Sequence, residues 1–145
     1  MQEFKKLYQE TILDHSKNPR NFHVLDCTPY KAEGFNTLCG DRFTVYVDVV
    51  GDRIRGVTFQ GNGCAISKAS ASMMTVSLRG KTLAEARELL KRFHDLATGT
   101  RDPAHPVDLG KLEAFAGLCE YPARVKCATL AWHTLGAALE GNVST

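Results

Sequence analysis

A chain of 145 residues, 43% hydrophobic and 23% charged, is long enough to bury one substantial core and short for two, so a single domain spanning 1–145 is expected. A formal net charge of +2, with Lys and Arg scattered among Asp and Glu, gives neither a basic stripe for a phosphate backbone nor basic residues interleaved with stacking aromatics; nucleic acid is not expected as a partner. The opening MQEFKKLYQETILDHS spreads charge through its length and holds no apolar run, so neither a secretory signal nor a membrane span is read there and a cytoplasmic protein is expected.

In chain order, Leu7, Ile12 and Leu13 among charged residues predict a first amphipathic helix, closed at KNPRN because Pro19 disfavours the helical conformation at Asn18. Residues 30–36 predict a short strand. Residues 42–50 (RFTVYVDVV) and 53–60 (RIRGVTFQ) alternate and are rich in β-branched and aromatic side chains, and the two residues between them, Gly51 and Asp52, predict an antiparallel hairpin. From Cys64 onward the period becomes helical: Ile66, Ala69, Met73 and Val76 define a buried face, with Ser67, Lys68 and Ser70 placed elsewhere. Gly80 ends that helix. Thr82 with Glu85 spells a capping box for the next one, whose apolar stripe is Leu83, Ala86, Leu90, Phe93 and Ala97. TRDPAHPVDLG, 100–110, reads as a loop and 110–118 as a short helix. Pro122 then opens a last helix with Val125, Ala128, Trp132, Leu135 and Leu139 inward. Trp132, Met73 and Met74 are read as core. The expected fold class is α+β, a small antiparallel sheet of about three strands with helices packed on one face.

Five cysteines in a reducing compartment favour metal or reactive-thiol use over a disulfide framework. Cys64 sits where a strand stops and a helix begins. Unpaired N–H groups and the positive dipole end there favour a thiolate, with packing as a small hydrophobe the bland alternative. Cys39, in TLCGDR, is separated from Asp41 by Gly40, whose missing Cβ leaves both side chains room to turn to one centre; Asp41 as a simple turn or capping residue fits equally well. Cys127 falls about 115° from the middle of the last helix's stripe, at the border of the core. Three thiolates and a carboxylate suit a borderline ion such as zinc, held by four tetrahedral ligands. No CxxC is present, and the candidates come from three distant segments. Cys27 and Cys119 read as packing cysteines, with a sulfur shuttle the alternative for Cys119. The histidines at 15, 23, 94, 105 and 133 are not clustered at ligand spacing.

LYQETILDHSKNPRNF, TLCGDR, GNGCAISKASASMM, GKTLAEA and YPARVKCATLAWHTL together resemble the SufU branch of the IscU/SufU/NifU N-terminal family of iron-sulfur cluster assembly proteins, in family order along most of the chain. The resemblance implies an α+β domain of the SufE/NifU-like kind and a metal site formed by Cys39, Asp41, Cys64 and Cys127, holding Zn2+ or a transient [2Fe-2S] cluster. It implies as partners a pyridoxal-phosphate-dependent, SufS-type cysteine desulfurase, which delivers sulfur as a persulfide, and downstream iron-sulfur assembly proteins. Cys39 is the implied acceptor; the expected route is that a group of the arriving desulfurase takes a zinc position and frees one cysteine, whose thiolate attacks the persulfide sulfur. Arg124 and Lys126 suit steering an anionic persulfide toward Cys127, or are plain solvated charges of a first helical turn. Lys126 stands where IscU-type proteins place a histidine, YPARVK replaces their Pro-Pro-Val-Lys chaperone-docking motif, and the 62 residues between Cys64 and Cys127 exceed the IscU spacing. These departures favour the zinc-holding, sulfur-accepting type over chaperone-assisted cluster release. Separately, a partner of the desulfurase rather than a stand-alone catalyst is expected, as a monomer or weak dimer. Two competing readings are a structural zinc module that only docks to proteins, and a zinc hydrolase, for which no HExxH or similar pair exists.

Overall fold

The computed structural model describes residues 2–26, 28–37, 40–104 and 108–140, with side chains from Gln9 onward. Cys27, Cys39, His105 and the side chain of Leu7 therefore lie outside the described residues. Helix α1, Gln2–Lys17, stops two residues before Pro19, as the clash of a proline ring with the preceding residue requires.

Strands β1 (Tyr30–Asn36), β2 (Asp41–Val50) and β3 (Arg53–Asn62) form an antiparallel sheet in the order β1-β2-β3. Val50 pairs with Arg53 across the Gly51–Asp52 turn, the register that a two-residue hairpin dictates. Alternation along β2 sends Asp41, Phe43, Val45 and Val47 to the buried face and leaves Arg42 exposed on the other. Helices α2 (Ala65–Leu78) and α4 (Pro122–Leu139) cover that buried face, α2 against β3 and α4 against β1 and β2. Helix α3 (Leu83–Thr98) and a 3-10 helix (Gly110–Glu120) pack outside α4. The capping box at Thr82 and Glu85 is formed, with both reciprocal hydrogen bonds present. Among the described residues no helix is long and apolar enough to cross a membrane.

The expected inward face of α2 needs correction. Ala69 and Met73 are buried, but Val76 is 53% exposed, while Ser67, Ser70, Ser72 and Thr75 are buried. The reason is that α2 is flanked by α1, α4 and β3 together, so it has no solvent face wide enough for its small polar residues. Buried hydroxyls must then find partners, and they do. Ser70 Oγ donates to the Ala128 carbonyl at 2.5 Å and accepts from Trp132 Nε1 at 3.0 Å. Ser72 Oγ accepts from the Arg20 N–H at 2.8 Å and lies 2.7 Å from His15 Nδ1. Leu13 of α1 is half exposed.

The segment expected as a short helix over 110–118 is a longer 3-10 helix. Leu109, Leu112, Phe115 and Leu118 recur every third residue, and three residues per turn aligns them in one stripe against the core. Phe115 meets Phe93 edge-on at 5.6 Å, and Phe93 stacks on Trp132 at 4.3 Å.

Replacing Ser70 with alanine leaves the buried Trp132 N–H without its acceptor and is expected to destabilise the chain by about 1–3 kcal/mol, read as a lower urea midpoint. His15 provides a pH test. Burial, then the nearby Arg20 charge, holds its imidazole below the ordinary value of 6.5, against the opposing pull of Asp14. As pH falls below about 6.5 the unfolded chain takes up this proton first, so stability is lost down to the folded-state value. The drop in urea midpoint between about pH 7.5 and 5.5 is therefore expected to be smaller in His15→Gln than in the parent chain.

Candidate metal centre

Three segments remote in sequence meet at one end of the sheet, on its helix-covered side. Asp41 opens β2 and pairs across the ladder with Asn36, which closes β1. After β3 the chain turns into α2 through Gly63 and Cys64. A Cβ at Gly63 would strike the Ser67 hydroxyl and come within 2.7 Å of the Phe43 ring, so only glycine allows this close crossing. Cys64 takes the N-cap position of α2 in extended conformation, φ −69° and ψ 171°, and its Sγ accepts from the Ser67 N–H at 3.4 Å. Thus the thiol stands at the N-terminal end of the helix, as the sequence suggests. The Cys64 N–H in turn donates to Asp41 Oδ1 at 3.0 Å, tying the start of β2 to the start of α2.

Helix α4 supplies the third group. Cys127 is 3% exposed, deeper than a border position, because α4 packs against the sheet as well as against α3. Its Sγ accepts from Asn36 Nδ2 at 3.8 Å. A carboxylate oxygen of Asp41 and the sulfurs of Cys64 and Cys127 all lie within 4.8 Å of one another. A tetrahedral ion with ligand bonds of about 2.0–2.3 Å sets its ligand atoms roughly 3.3–3.8 Å apart, so a small inward adjustment suffices.

The fit to a cation also rests on an orphaned atom. Asp41 is 1% exposed, and its Oδ2 is buried without a hydrogen-bond partner among the described residues. Such atoms are rare in folded proteins and need an explanation; an ion among two sulfurs and a carboxylate provides one. Two thiols with one carboxylate suit borderline transition ions better than magnesium or calcium, which take oxygen ligands.

Of the residues expected at the site, the structure brings together Asp41, Cys64 and Cys127. Cys39 lies outside the described residues, between Asn36 and Asp41 in sequence; Gly40 beside it has φ +71°, a left-handed value that suits glycine. Arg124 and Lys126 are exposed in the first turn of α4 and form no ion pair among the described residues. Cys119 is exposed on the 3-10 helix and packs against Gly99, whose ideal Cβ would lie 3.1 Å from its sulfur. The rings of His94 and His133 approach to 5.6 Å, a pairing the sequence spacing conceals. Asn36 is a site residue that the motifs do not single out. Its signal is a polar residue in phase with Ala32 and Gly34 on the buried side of β1.

Fold and site define a small α+β protein that gathers sulfur and carboxylate ligands at one end of an antiparallel sheet. The family model of the NifU-like N terminal domain matches residues 7–128, and the chain belongs to that family. It is 43% identical over 129 residues to the zinc-dependent sulfurtransferase SufU of Bacillus subtilis (strain 168), covering 89% of this chain and 86% of that protein. It is 40% identical over 134 residues to the iron-sulfur cluster assembly scaffold protein IscU of Streptococcus pyogenes serotype M1, covering 92% and 83%. A crystal structure described as an iron-sulfur cluster assembly scaffold for the SUF system, from Fervidobacterium islandicum AW-1, superposes with a TM-score of 0.83 at 38% identity, covering 92% of this chain and 97% of that one.

Asp41→Asn retains the acceptor for the Cys64 N–H and puts an amide N–H, able to donate to sulfur, where Oδ2 has no partner among the described residues. The metal-free variant is expected to have a higher thermal midpoint than the metal-free parent. Added zinc or cobalt(II) is expected to raise the midpoint of the parent and not of the variant.

Proposed function

We propose that this protein acts in iron-sulfur cluster assembly as a zinc-holding acceptor of persulfide sulfur from a cysteine desulfurase of the pyridoxal-phosphate-dependent, SufS type, passing sulfur on to downstream assembly proteins. The carrying observation is the buried Asp41 carboxylate: one of its oxygens lies within 4.8 Å of the sulfurs of Cys64 and Cys127, and its Oδ2 has no hydrogen-bond partner among the described residues. The names of the SufU and IscU relatives support the direction. Cys39 is the proposed fourth ligand, two residues from Asp41 in a connector whose ends, Asn36 and Asp41, are paired in the sheet. Zinc bound by Cys39, Asp41, Cys64 and Cys127 would keep the sulfurs deprotonated at neutral pH while tempering their reactivity.

Sulfur transfer itself falls to the chain's own residues. The Cys39 thiolate attacks the outer sulfur of the donor persulfide; a sulfur-sulfur bond forms on Cys39, the one in the donor breaks, and its electron pair leaves on the donor's cysteine thiolate. No outside oxidant or reductant is needed. Arg124 precedes Cys127 by three residues on α4, a spacing that puts the two on neighbouring parts of the helix surface. In this reading the exposed Arg124 attracts the incoming anion.

After incubation with a SufS-type desulfurase and cysteine, mass spectrometry is expected to show extra sulfur on Cys39, and Cys39→Ser is expected to abolish both this label and any stimulation of desulfurase turnover. Labelling confined to Cys119 or Cys27 overturns the assignment. Zinc binding with turnover unaffected by Cys39→Ser identifies a structural zinc module instead.

A further inference from the structure

Resting on that reading, we propose that Asn36 is a positioning residue: its side-chain amide holds the Cys127 sulfur as a fixed ligand, so that sulfur acceptance is confined to another position of the same site. Asn36 is 8% exposed, ends β1, and sits directly across the ladder from Asp41. Its Nδ2 donates to Cys127 Sγ, 91 residues away in sequence. A neutral thiol is a weak acceptor, whereas an ionised acceptor makes the bond markedly stronger. The amide is therefore matched to the thiolate of a loaded site.

The second sulfur is held in a parallel way. Cys64 Sγ accepts from the Ser67 N–H and lies 3.5 Å from Ser67 Oγ. Both described sulfurs thus receive an N–H from the protein, one from a helix start and one from a strand end. Each such bond fixes a side-chain rotamer, draws electron density from sulfur, and so lowers its tendency to attack an electrophile while bound. Outer-shell donors of this kind orient ligands and tune metal sites generally. The same contact ties the last residue of β1 to α4.

The test uses the full chain loaded with zinc and, separately, with cobalt(II) as a spectroscopic probe. Asn36→Ala and the near-isosteric Asn36→Asp both remove the donor. In either variant, iodoacetamide labelling read by peptide mass spectrometry is expected to modify Cys127 about fivefold faster, equivalent to roughly 1 kcal/mol, with the Cys64 rate unchanged. The sulfur-to-cobalt charge-transfer band is expected to move to longer wavelength as the sulfur becomes more electron-rich. An unchanged Cys127 rate and band in a folded, metal-loaded variant overturns the role, as does an equal rise at Cys64 and Cys127, which marks general loosening. If neither variant folds, Asn36 is a fold residue and the proposal fails. A parent chain that takes up no metal overturns the zinc reading itself, a result distinct from metal-loaded variants that leave Cys127 unaffected.

Discussion

The hydrogen bond from the Cys64 N–H to Asp41 Oδ1 is the constraint on which the site depends. It fixes the start of a helix against the start of a strand, although the two residues are 23 apart in sequence. The positive end of the α2 dipole then faces the place where a carboxylate and sulfur collect, an arrangement that favours negative charge. Because β1 pairs with β2 in register, Asn36 is delivered to the same place without any further element. The end of β1, the start of β2 and the start of α2 are thus held as one unit, and α4 needs only to bring Cys127 alongside.

Helix α2 makes that approach feasible through its composition. Ser67, Ala69, Ser70, Ala71 and Ser72 are all buried, and their small side chains let α2 lie close to α1, α4 and the sheet together. Burying hydroxyls is unfavourable unless each finds a partner. Here the partners cross between elements: Ser70 binds Ala128 and Trp132 of α4, and Ser72 meets His15 and Arg20 around the end of α1. The same bonds that satisfy α2 therefore set the spacing between the helix bearing Cys64 and the helix bearing Cys127.

The site is left with an imbalance that packing does not remove. Among the described residues Asp41 Oδ2 stays buried and unpaired, in a region otherwise well supplied with hydrogen bonds. Any ion that binds the folded chain and not the unfolded one adds stability by mass action, and pre-assembled ligands reduce the ordering that binding demands. Occupancy and folding are coupled in such an arrangement, and the strand and helix termini that build the site are also the ones that gain most from filling it.

The sequence by itself determined the elements whose signals are local. Alternating β-branched residues over 42–50 and 53–60 with a two-residue turn gave the hairpin, Thr82 and Glu85 gave the start of α3, and the position of Cys64 gave a thiol at a helix cap. Five motifs in order gave the family, and the resemblance implied Cys39, Asp41, Cys64 and Cys127 as a set, of which the described residues bring Asp41, Cys64 and Cys127 together. Tertiary structure alone decided which side of α2 is inside, because the period of one helix carries no record of three neighbours; hence Val76 lies out and Ser67 and Ser70 in. It likewise decided the depth of Cys127, which depends on α4 meeting both the sheet and α3, and the contact of Asn36 with a sulfur 91 residues away. Propensity, periodicity and caps act over a few residues of chain, whereas a ligand set drawn from a strand, a helix cap and a second helix exists only through the packing distances between them.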